Sequence, residues 1–207
     1  MLIVLILNHQ GRMEGHFMLS RDEIKEYLKN NLQEARYNHV LGVAETAKKL
    51  AKLNNVDEDI AELAGLAHDV AKNMRIDEMK KIIDDNNIIL SEVEERNMSL
   101  WHSIIAPIVA REKLGIEDEE ILSSLRWHTT GKENMTTLEK IIYIADMIEP
   151  TRNFDGLEEL RSITFNNLDD GVLAGLTHTM KFLLSKNSLM DENTTKARNY
   201  LLIHKGQ

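Results

Sequence analysis

The sequence predicts an all-α protein, and three observations support that prediction. Only two prolines, Pro107 and Pro150, occur in 207 residues, so few positions interrupt a helix. Aromatic residues, which favour strands, make up only 5% of the chain. Apolar residues recur at spacings of three and four, which is the period of one helix face. We therefore expect a compact bundle of many helices.

Capping signals define the helices of the first half. Ser20 and Glu23 have the spacing of a capping box, and an apolar face follows them. A second helix is predicted over 37–53, a third over 57–71 with Asp57 as its N-cap, and a short fourth over about 76–83. Residues 86–99 are polar and irregular, so we expect only one helical turn there, around Glu92.

The second half continues the pattern. A fifth helix is predicted over 100–114, kinked or restarted at Pro107 and ended by Gly115. Asp118 caps a sixth helix that reaches residue 128. Thr136 and Glu139 form another capping box, which begins a helix that ends at Pro150. Further helices are predicted over 157–166, 168–185 and 194–203. No repeat or flexible linker appears, so 19–207 is expected to be a single domain after an N-terminal extension, 1–18.

Charge and composition exclude several classes of protein. The chain has 25 basic and 34 acidic residues, a formal net charge of −9, which disfavours a nucleic acid polymer or an anionic membrane as partner. A small phosphorylated ligand held by a few local cations remains compatible with that charge. Cysteine is absent, which excludes disulfides and thiolate metal ligands. The longest apolar run, 2–7, is too short to span a membrane or to form an export signal, so a cytoplasmic location is expected. That run could instead join the interface of a homodimer.

Imidazole and carboxylate side chains occur near the ends of several predicted helices. A divalent transition ion binds such groups when they converge from different directions. Any one of these histidines is more often an ordinary core or surface residue, so the metal hypothesis depends on the joint arrangement. The residues concerned are His39, His68, Asp69, His102, His128 and Asp146.

The same residues lie within longer motifs. His39, the pair His68-Asp69, and Asp146 follow the order H…HD…D of the HD-domain metal-dependent phosphohydrolases. The surrounding segments resemble the bacterial HD-type symmetrical diadenosine tetraphosphate hydrolases, the YqeK family. The resemblance covers about residues 19–202, and the segments that carry it read RYNHVLGVAETAKKLA, ELAGLAHDVAKN, RWHTTGKENMTTLEKIIYIADMIEPTRNFDG and TTKARNYLL.

The resemblance implies a metal centre formed by His39, His68, Asp69 and Asp146. The expected ion is iron, with manganese or cobalt as its substitutes. One ion is expected, and a second at His102 and His128 is left open. In this family those two histidines look more like contacts to the phosphates of the nucleotide, and imidazole suits both tasks.

The resemblance also implies a substrate and the groups that would handle it. A bound metal lowers the pKa of a coordinated water, and Asp69 could orient or deprotonate that water. Lys72 is the second expected catalytic residue, placed one turn after His68 on the same helix. The expected substrate-binding residues are Arg36, His39, Asp69, Lys72, His102, His128, Thr129, Thr130, Gly131, Asp146, Arg152, Thr194, Arg198 and Asn199. The last three are the candidates for contacts to adenosine.

The expected function is therefore metal-dependent hydrolysis of diadenosine tetraphosphate at its centre, which releases two ADP. One alternative is an HD phosphohydrolase that acts on another nucleotide, such as a guanosine alarmone or a deoxynucleotide. Another is a helical nucleotide sensor without catalysis. A sensor would be expected to lack one or more metal ligands, and all four are present in this chain.

Overall fold

A computed structural model describes residues 5–7, 13–15 and 17–205, and its helices confirm the all-α prediction. The described part of the extension holds two short antiparallel strands, β1 (Leu5–Leu7) and β2 (Met13–Gly15), which the sequence did not predict. The helices are α1 (Arg21–Asn31), α2 (Glu34–Leu53), α3 (Glu58–Ala67), α4 (Ile76–Asp85), α5 (Glu92–Arg96), α6 (Trp101–Leu114), α7 (Glu119–Trp127), α8 (Thr137–Ile148), α9 (Leu157–Asn166), α10 (Leu168–Ser185) and α11 (Glu192–His204).

The predicted caps are present at the helix N-termini. The side chains of Ser20 and Thr136 each accept a hydrogen bond from a backbone N–H of the first turn, and each belongs to a complete capping box. Asp57 and Asp118 accept two such bonds each. These short-range interactions satisfy backbone donors that the helices leave unpaired. They explain why the local sequence was a good guide to where helices begin.

The core is one cluster of buried apolar side chains. Helix α8 lies within it, with Leu138, Ile141 and Ile142 fully buried, and it packs against α2, α3, α7 and α10. Helix α2 packs most extensively against α3. In the described part of the chain, no helix combines the length and the apolar character needed to cross a bilayer. The packing brings the C-terminal ends of α3 and α8 close to α2, and the C-terminal end of α7 close to that of α3.

Helix α3 is shorter than predicted, and the difference affects the site. We expected a helix over 57–71, but α3 ends at Ala67 and His68 is its C-cap. The backbone then forms tight turns, in which Val70 N–H donates to Ala67 and Lys72 N–H donates to Asp69. These bonds span three residues instead of four, so Lys72 does not lie on a helix face with His68.

Smaller corrections concern three other helices. Helix α6 runs continuously from Trp101 to Leu114 with Pro107 inside it, so the predicted restart is wrong. The neighbouring packing retains the helix despite the backbone donor that proline lacks. Helices α2 and α11 begin earlier than predicted, at Glu34 and Glu192. Helix α11 begins there because Asp191 supplies a side-chain N-cap.

Candidate metal centre and active site

Three elements bring the four predicted metal ligands together. His39 lies on α2, His68 and Asp69 follow α3, and Asp146 lies on the last turns of α8. The Nε2 atom of His39 is 3.0 Å from Asp146 Oδ1 and 3.8 Å from Asp69 Oδ2. His68 Nε2 lies 3.4 Å from Asp69 Oδ2. Donor atoms of His39, His68 and Asp146 fall within 4.8 Å of one another, as do those of His68, Asp69 and His128.

Two further histidines complete the cluster. His102, at the start of α6, and His128, the C-cap of α7, place their Nε2 atoms 3.3 and 3.6 Å from Asp69 Oδ1. The two Nε2 atoms are 3.2 Å apart. Both side chains are buried, as are those of His39, His68 and Asp69. The imidazoles therefore surround the Asp69 carboxylate on a rigid and largely dry framework.

The tautomers of three histidines follow from their partners. The Nδ1 atoms of His68, His102 and His128 lie 2.7–2.8 Å from the carbonyl oxygens of Gly65, Ser99 and Leu125. A carbonyl can only accept a hydrogen bond, so each Nδ1 carries the proton and donates it. In the neutral ring the lone pair is then on Nε2, which faces the cluster. Metal-binding histidines are typically oriented in this way.

The fourth histidine is oriented by a carboxylate that the sequence did not reveal as functional. His39 Nδ1 lies 2.9 Å from Oε1 of Glu149, which is fully buried at the end of α8. Thr151 holds the same carboxylate through its hydroxyl and its backbone N–H, each at 2.6 Å. A Cβ on Gly42 would lie 2.5 Å from Glu149 Oε2, so the glycine on α2 makes room for the carboxylate. The sequence held two signals: Glu149 lies within one of the segments that carry the family resemblance, and Gly42 follows His39 by three residues on the same helix face.

The charge states of the cluster suit cation binding. The pKa of Asp69 lies well below its ordinary value: burial raises it, but the neighbouring His68 and His128 more than offset that effect. The pKa of Asp146 is also lowered, since the contacts with His39 and His68 outweigh burial. Burial, reinforced by His128, lowers the pKa of His102 to about 3, so its ring is neutral near pH 7.

Unsatisfied atoms show that these residues fit a divalent metal ion. Among the described residues, His39 Nε2, His68 Nε2 and Asp69 Oδ1 are buried without a hydrogen-bond partner. Buried polar atoms are rarely left in that state. A lone pair on His39 Nε2 would also repel Asp146 Oδ1 at 3.0 Å unless a proton or a cation lay between them. Nitrogen and oxygen donors converging in this way are a suitable set for a divalent transition ion.

Three cations border the cluster. Arg36 Nη1 donates to Asp69 Oδ2 at 2.7 Å, and Arg152 donates to both the side chain and the backbone carbonyl of Asp146. Lys72 Nζ is 3.1 Å from the neutral His102 Nε2 and makes no ion pair among the described residues. Burial lowers the pKa of Lys72, and the Asp69 carboxylate offsets part of that shift. Lys72 is therefore the border cation whose charge has no direct carboxylate partner in this part of the structure.

A cavity of about 570 Å³ leads to the cluster. We call it the His39 cavity, and its lining residues are Gln33, Ala35, Arg36, His39, Lys72, Asn73, Glu149, Thr151, Arg152, Asn153 and Phe154. It thus contains one proposed metal ligand, all three border cations and one phenyl ring. That ring belongs to Phe154, which the sequence did not single out. A cavity of this size and polarity suits a small anionic ligand.

The other predicted substrate-binding residues lie in different surroundings. Thr129 Oγ1 is 3.5 Å from His102 Nε2, so this threonine borders the cluster. The Thr130 hydroxyl instead donates to the Gly131 carbonyl, and Gly131 packs near Ala197. The Thr130 hydroxyl is therefore already used within the loop, and the contacts of Thr130 and Gly131 to phosphate stay a prediction from the sequence.

The candidates for adenosine contacts on α11 do not share one surface. Thr194 is buried and Asn199 is exposed. Arg198 donates through Nε to the Thr177 hydroxyl at 3.0 Å and lines a different cavity. None of the three lines the His39 cavity. The assignment of all three to one adenosine site stays a prediction from the sequence.

Comparisons with known proteins agree with this geometry. A family model described as HD domain matches residues 36–151. A protein of Halalkalibacterium halodurans named "Bis(5'-nucleosyl)-tetraphosphatase, symmetrical" is 39% identical over 185 residues, which cover 89% of this chain and 98% of that protein. A protein of Bacillus subtilis with the same name is 36% identical, with the same two coverages.

A solved structure is similar to this chain over most of its length. It is the crystal structure of a "predicted HD superfamily hydrolase involved in NAD metabolism" from Clostridium acetobutylicum. Its TM-score is 0.88 at 43% identity, and the match covers 91% of this chain and 100% of the other. Fold, cluster and relatives thus lead to one conclusion: the chain belongs to the HD-domain family of metal-dependent phosphohydrolases, within the branch of the bacterial symmetrical bis(5'-nucleosyl)-tetraphosphatases.

Proposed function

We propose that this protein hydrolyses diadenosine tetraphosphate symmetrically and releases two ADP. The observation that carries the proposal is the convergence of four histidines and two carboxylates beside Lys72, at the end of the His39 cavity. The names of the relatives supply the substrate class. A single domain over 19–207, a cytoplasmic location and a homodimer stay predictions from the sequence.

His39, His68, Asp69 and Asp146 would hold the metal ion. Iron is the proposed ion, and manganese or cobalt can replace it because the same nitrogen and oxygen donors bind all three. When bound, such an ion supplies Lewis-acid chemistry, which activates water and stabilises charge on phosphoryl oxygens. His102 and His128 either contact the phosphates or hold a second ion. The molar ratio of metal to protein decides between these two roles.

The protein side chains would position the reactants. Water attacks one of the two central phosphorus atoms, the bond from that phosphorus to the central bridging oxygen breaks, and the bridging oxygen leaves with the second ADP. Asp69 is proposed to orient the water and take its proton, because its Oδ1 is unpaired while Arg36 holds Oδ2. Lys72 is proposed to stabilise the charge that develops on the phosphoryl oxygens. Arg36 and Arg152 would bind the phosphate chain.

The product analysis tests the reaction. Purified protein loaded with iron is incubated with diadenosine tetraphosphate, a guanosine alarmone, a deoxynucleoside triphosphate and NAD. We expect ADP as the sole product, formed from diadenosine tetraphosphate alone. Rapid turnover of another nucleotide with no action on diadenosine tetraphosphate would favour the first alternative. AMP with ATP as products would contradict cleavage at the centre.

An Asp69→Ala variant tests the site. It removes a proposed ligand and the proposed base, so metal retention after dialysis and hydrolysis should both be lost. Asp155→Ala is a suitable control, because Asp155 is exposed and lies outside the residues that line the His39 cavity. Hydrolysis retained in Asp69→Ala would contradict the assignment. A wild-type protein that retains no iron, manganese or cobalt would favour the non-catalytic sensor.

A further inference from the structure

The segment that follows α8 carries two groups of the site on one tight turn. We call residues 148–152 the α8 turn. Its Glu149 carboxylate orients His39, and its Arg152 guanidinium donates to Asp146 and lines the His39 cavity. The Arg152 N–H donates to the Glu149 carbonyl at 3.1 Å, which closes the turn. A shift of this backbone would therefore displace both side chains from their partners.

One side chain from another helix holds the backbone of this turn. Arg161, on α9, donates through Nε to the Ile148 carbonyl at 2.9 Å and through Nη2 to the Glu149 carbonyl at 2.7 Å. Helix α8 ends at Ile148, and the Arg152 N–H that would continue the helical bonding donates to Glu149 instead. Ile148 and Glu149 are buried, so water is a poor replacement for Arg161. Removal of the guanidinium would leave a buried carbonyl unpaired, which is costly.

The arginine side chain is suited to this task in shape and in charge. Its planar guanidinium can donate in two nearly parallel directions, as two consecutive carbonyls require. Its positive charge lies at the C-terminal end of α8, where the helix dipole favours a cation. The remaining terminal nitrogen pairs with Glu158, whose side chain is 84% exposed, and such an exposed pair contributes little. The carbonyl contacts are therefore the part of this arrangement that matters for the turn.

We propose that Arg161 is a positioning residue for the reaction, because its two carbonyl contacts fix the α8 turn. The turn in turn fixes the Glu149 carboxylate on His39 and the Arg152 guanidinium at the border of the cluster. Arg161 does not line the His39 cavity, so it acts only through these groups. This inference rests on the proposed function, because a displaced Arg152 affects catalysis only if that side chain binds the phosphates of the substrate.

Arg161→Met tests the proposal, because methionine keeps much of the length of the side chain and removes all its donors. In the full chain, we expect the backbone amides of 149–153 to exchange with deuterium about tenfold faster, the size of one lost bond to a buried carbonyl. The affinity for Co²⁺, followed by visible absorption, should fall about tenfold, since the orientation of His39 loosens. With Co²⁺ saturating, the KM for diadenosine tetraphosphate should rise severalfold because Arg152 is displaced.

Two variants on α9 separate positioning from general stability. Glu158→Gln removes the ion pair with Arg161 and leaves both carbonyl contacts, so it should change none of these three quantities. Thr164→Ala removes a buried hydrogen bond to the Leu160 carbonyl and leaves the α8 turn untouched. It should lower the stability of α9 without a change in Co²⁺ affinity or in KM. An equal loss of affinity in Thr164→Ala would show that any loosening of α9 has the same effect, and would overturn the inference.

Arg161→Lys covers the case in which Arg161→Met does not fold. Lysine keeps the charge but cannot donate to both carbonyls in the geometry of a guanidinium, so we expect the same three changes at a smaller size. Unchanged exchange and unchanged Co²⁺ affinity in the Arg161 variants would overturn the inference. Absence of hydrolysis by the wild type would instead refute the proposed function, and the exchange and Co²⁺ measurements would still test the role of Arg161.

Discussion

Single residues decide how the four histidines present their lone pairs. Three of them donate to backbone carbonyls that lie three residues earlier, which any well-formed turn can supply. His39 is different because its partner is Glu149, a carboxylate from another helix. A carboxylate holds the ring more firmly than a carbonyl does and increases the basicity of the opposite nitrogen. The position of Glu149 in turn depends on Gly42 and Thr151.

The first prediction concerns this orienting carboxylate. Glu149→Gln keeps the shape of the side chain and removes its charge, so His39 should become a weaker ligand. We expect the affinity for Co²⁺, followed by visible absorption, to fall about 10- to 100-fold. Glu112→Gln, at an exposed position on α6, should leave the affinity unchanged. An unaltered Co²⁺ titration in Glu149→Gln would show that Glu149 has no positioning role.

Close packing of α2 against α3 sets the distance between His39 and His68. A Cβ on Gly65 would lie 2.7 Å from the Cα of Ala44 and 3.0 Å from its nitrogen. Backbone atoms cannot move aside as the end of a side chain can, so the glycine is required for this approach. The carbonyl of Gly65 also accepts the His68 Nδ1 proton. Gly65 therefore determines both the close contact between α2 and α3 and the tautomer of His68.

The second prediction follows from this helix contact. Gly65→Ala should lower the free energy of unfolding, measured with urea, by about 1–3 kcal/mol. Gly175→Ala on α10 provides the comparison, because its new Cβ would meet the flexible ends of Ile144 and Met147. That variant should be affected less, since alanine also favours a helix over glycine. Equal losses in the two variants would contradict the role given to the α2 backbone.

A partly buried ion pair connects α5 to α7. Arg126 Nη2 donates to Glu94 Oε1 at 2.6 Å, and the Glu94 side chain is only 10% exposed. Burial raises the pKa of Glu94, but the Ser91 backbone N–H and the positive Arg126 outweigh it, so the pKa lies below the ordinary 4.5. A carboxyl group whose pKa is lower in the folded state than in the unfolded state stabilises the protein at pH values above the unfolded-state pKa. That stabilisation is lost as the pH falls through the folded-state pKa.

The third prediction follows from the lowered pKa of Glu94. Glu94→Gln should lower the free energy of unfolding by about 1–3 kcal/mol between pH 6 and pH 8, roughly the range in which carboxylates are ionised. The difference from the wild type should shrink as the pH falls below 4.5. Glu92→Gln on the same helix is the control, because Glu92 is 78% exposed in its pair with Arg96. A difference that stays constant down to acidic pH would contradict the charge-based explanation.

At the scale of the whole molecule, the metal centre joins distant parts of the chain. Its proposed ligands come from α2, the turn after α3, and α8, so a bound ion connects elements more than 100 residues apart in sequence. The unfolded chain cannot present these ligands together. Metal binding must therefore favour the folded state by mass action.

The fourth prediction concerns the thermal stability of the protein with and without the metal ion. An ion present at about 100 times its Kd adds roughly 2.7 kcal/mol of stability. Removal of the metal with a chelator should then lower the Tm by roughly 5–10 °C for a chain of this size. Addition of manganese or cobalt should restore it. Treatment of the Asp69→Ala variant with the chelator should change its Tm little. A decrease as large as that of the wild type would show that the ion binds elsewhere.

The helical class, most helix starts and the identity of the proposed ligands could all be predicted from the sequence. Those features depend on short-range chemistry, namely caps, apolar periodicity and motifs that are contiguous along the chain. The prediction failed at the end of α3 and in allowing a restart of α6 at Pro107. In both places the backbone follows its tertiary neighbours more than its own propensity.

Which side chains meet depends on how the helices pack against one another. Glu149 lies 110 residues after His39, so no local pattern could reveal their hydrogen bond. The same holds for the separation of Arg198 from the His39 cavity, and for the contact between Phe154 and His178. The sequence gives the chemistry of each side chain. A buried site, however, forms only when helices that are distant in sequence pack together, and no short segment encodes that packing.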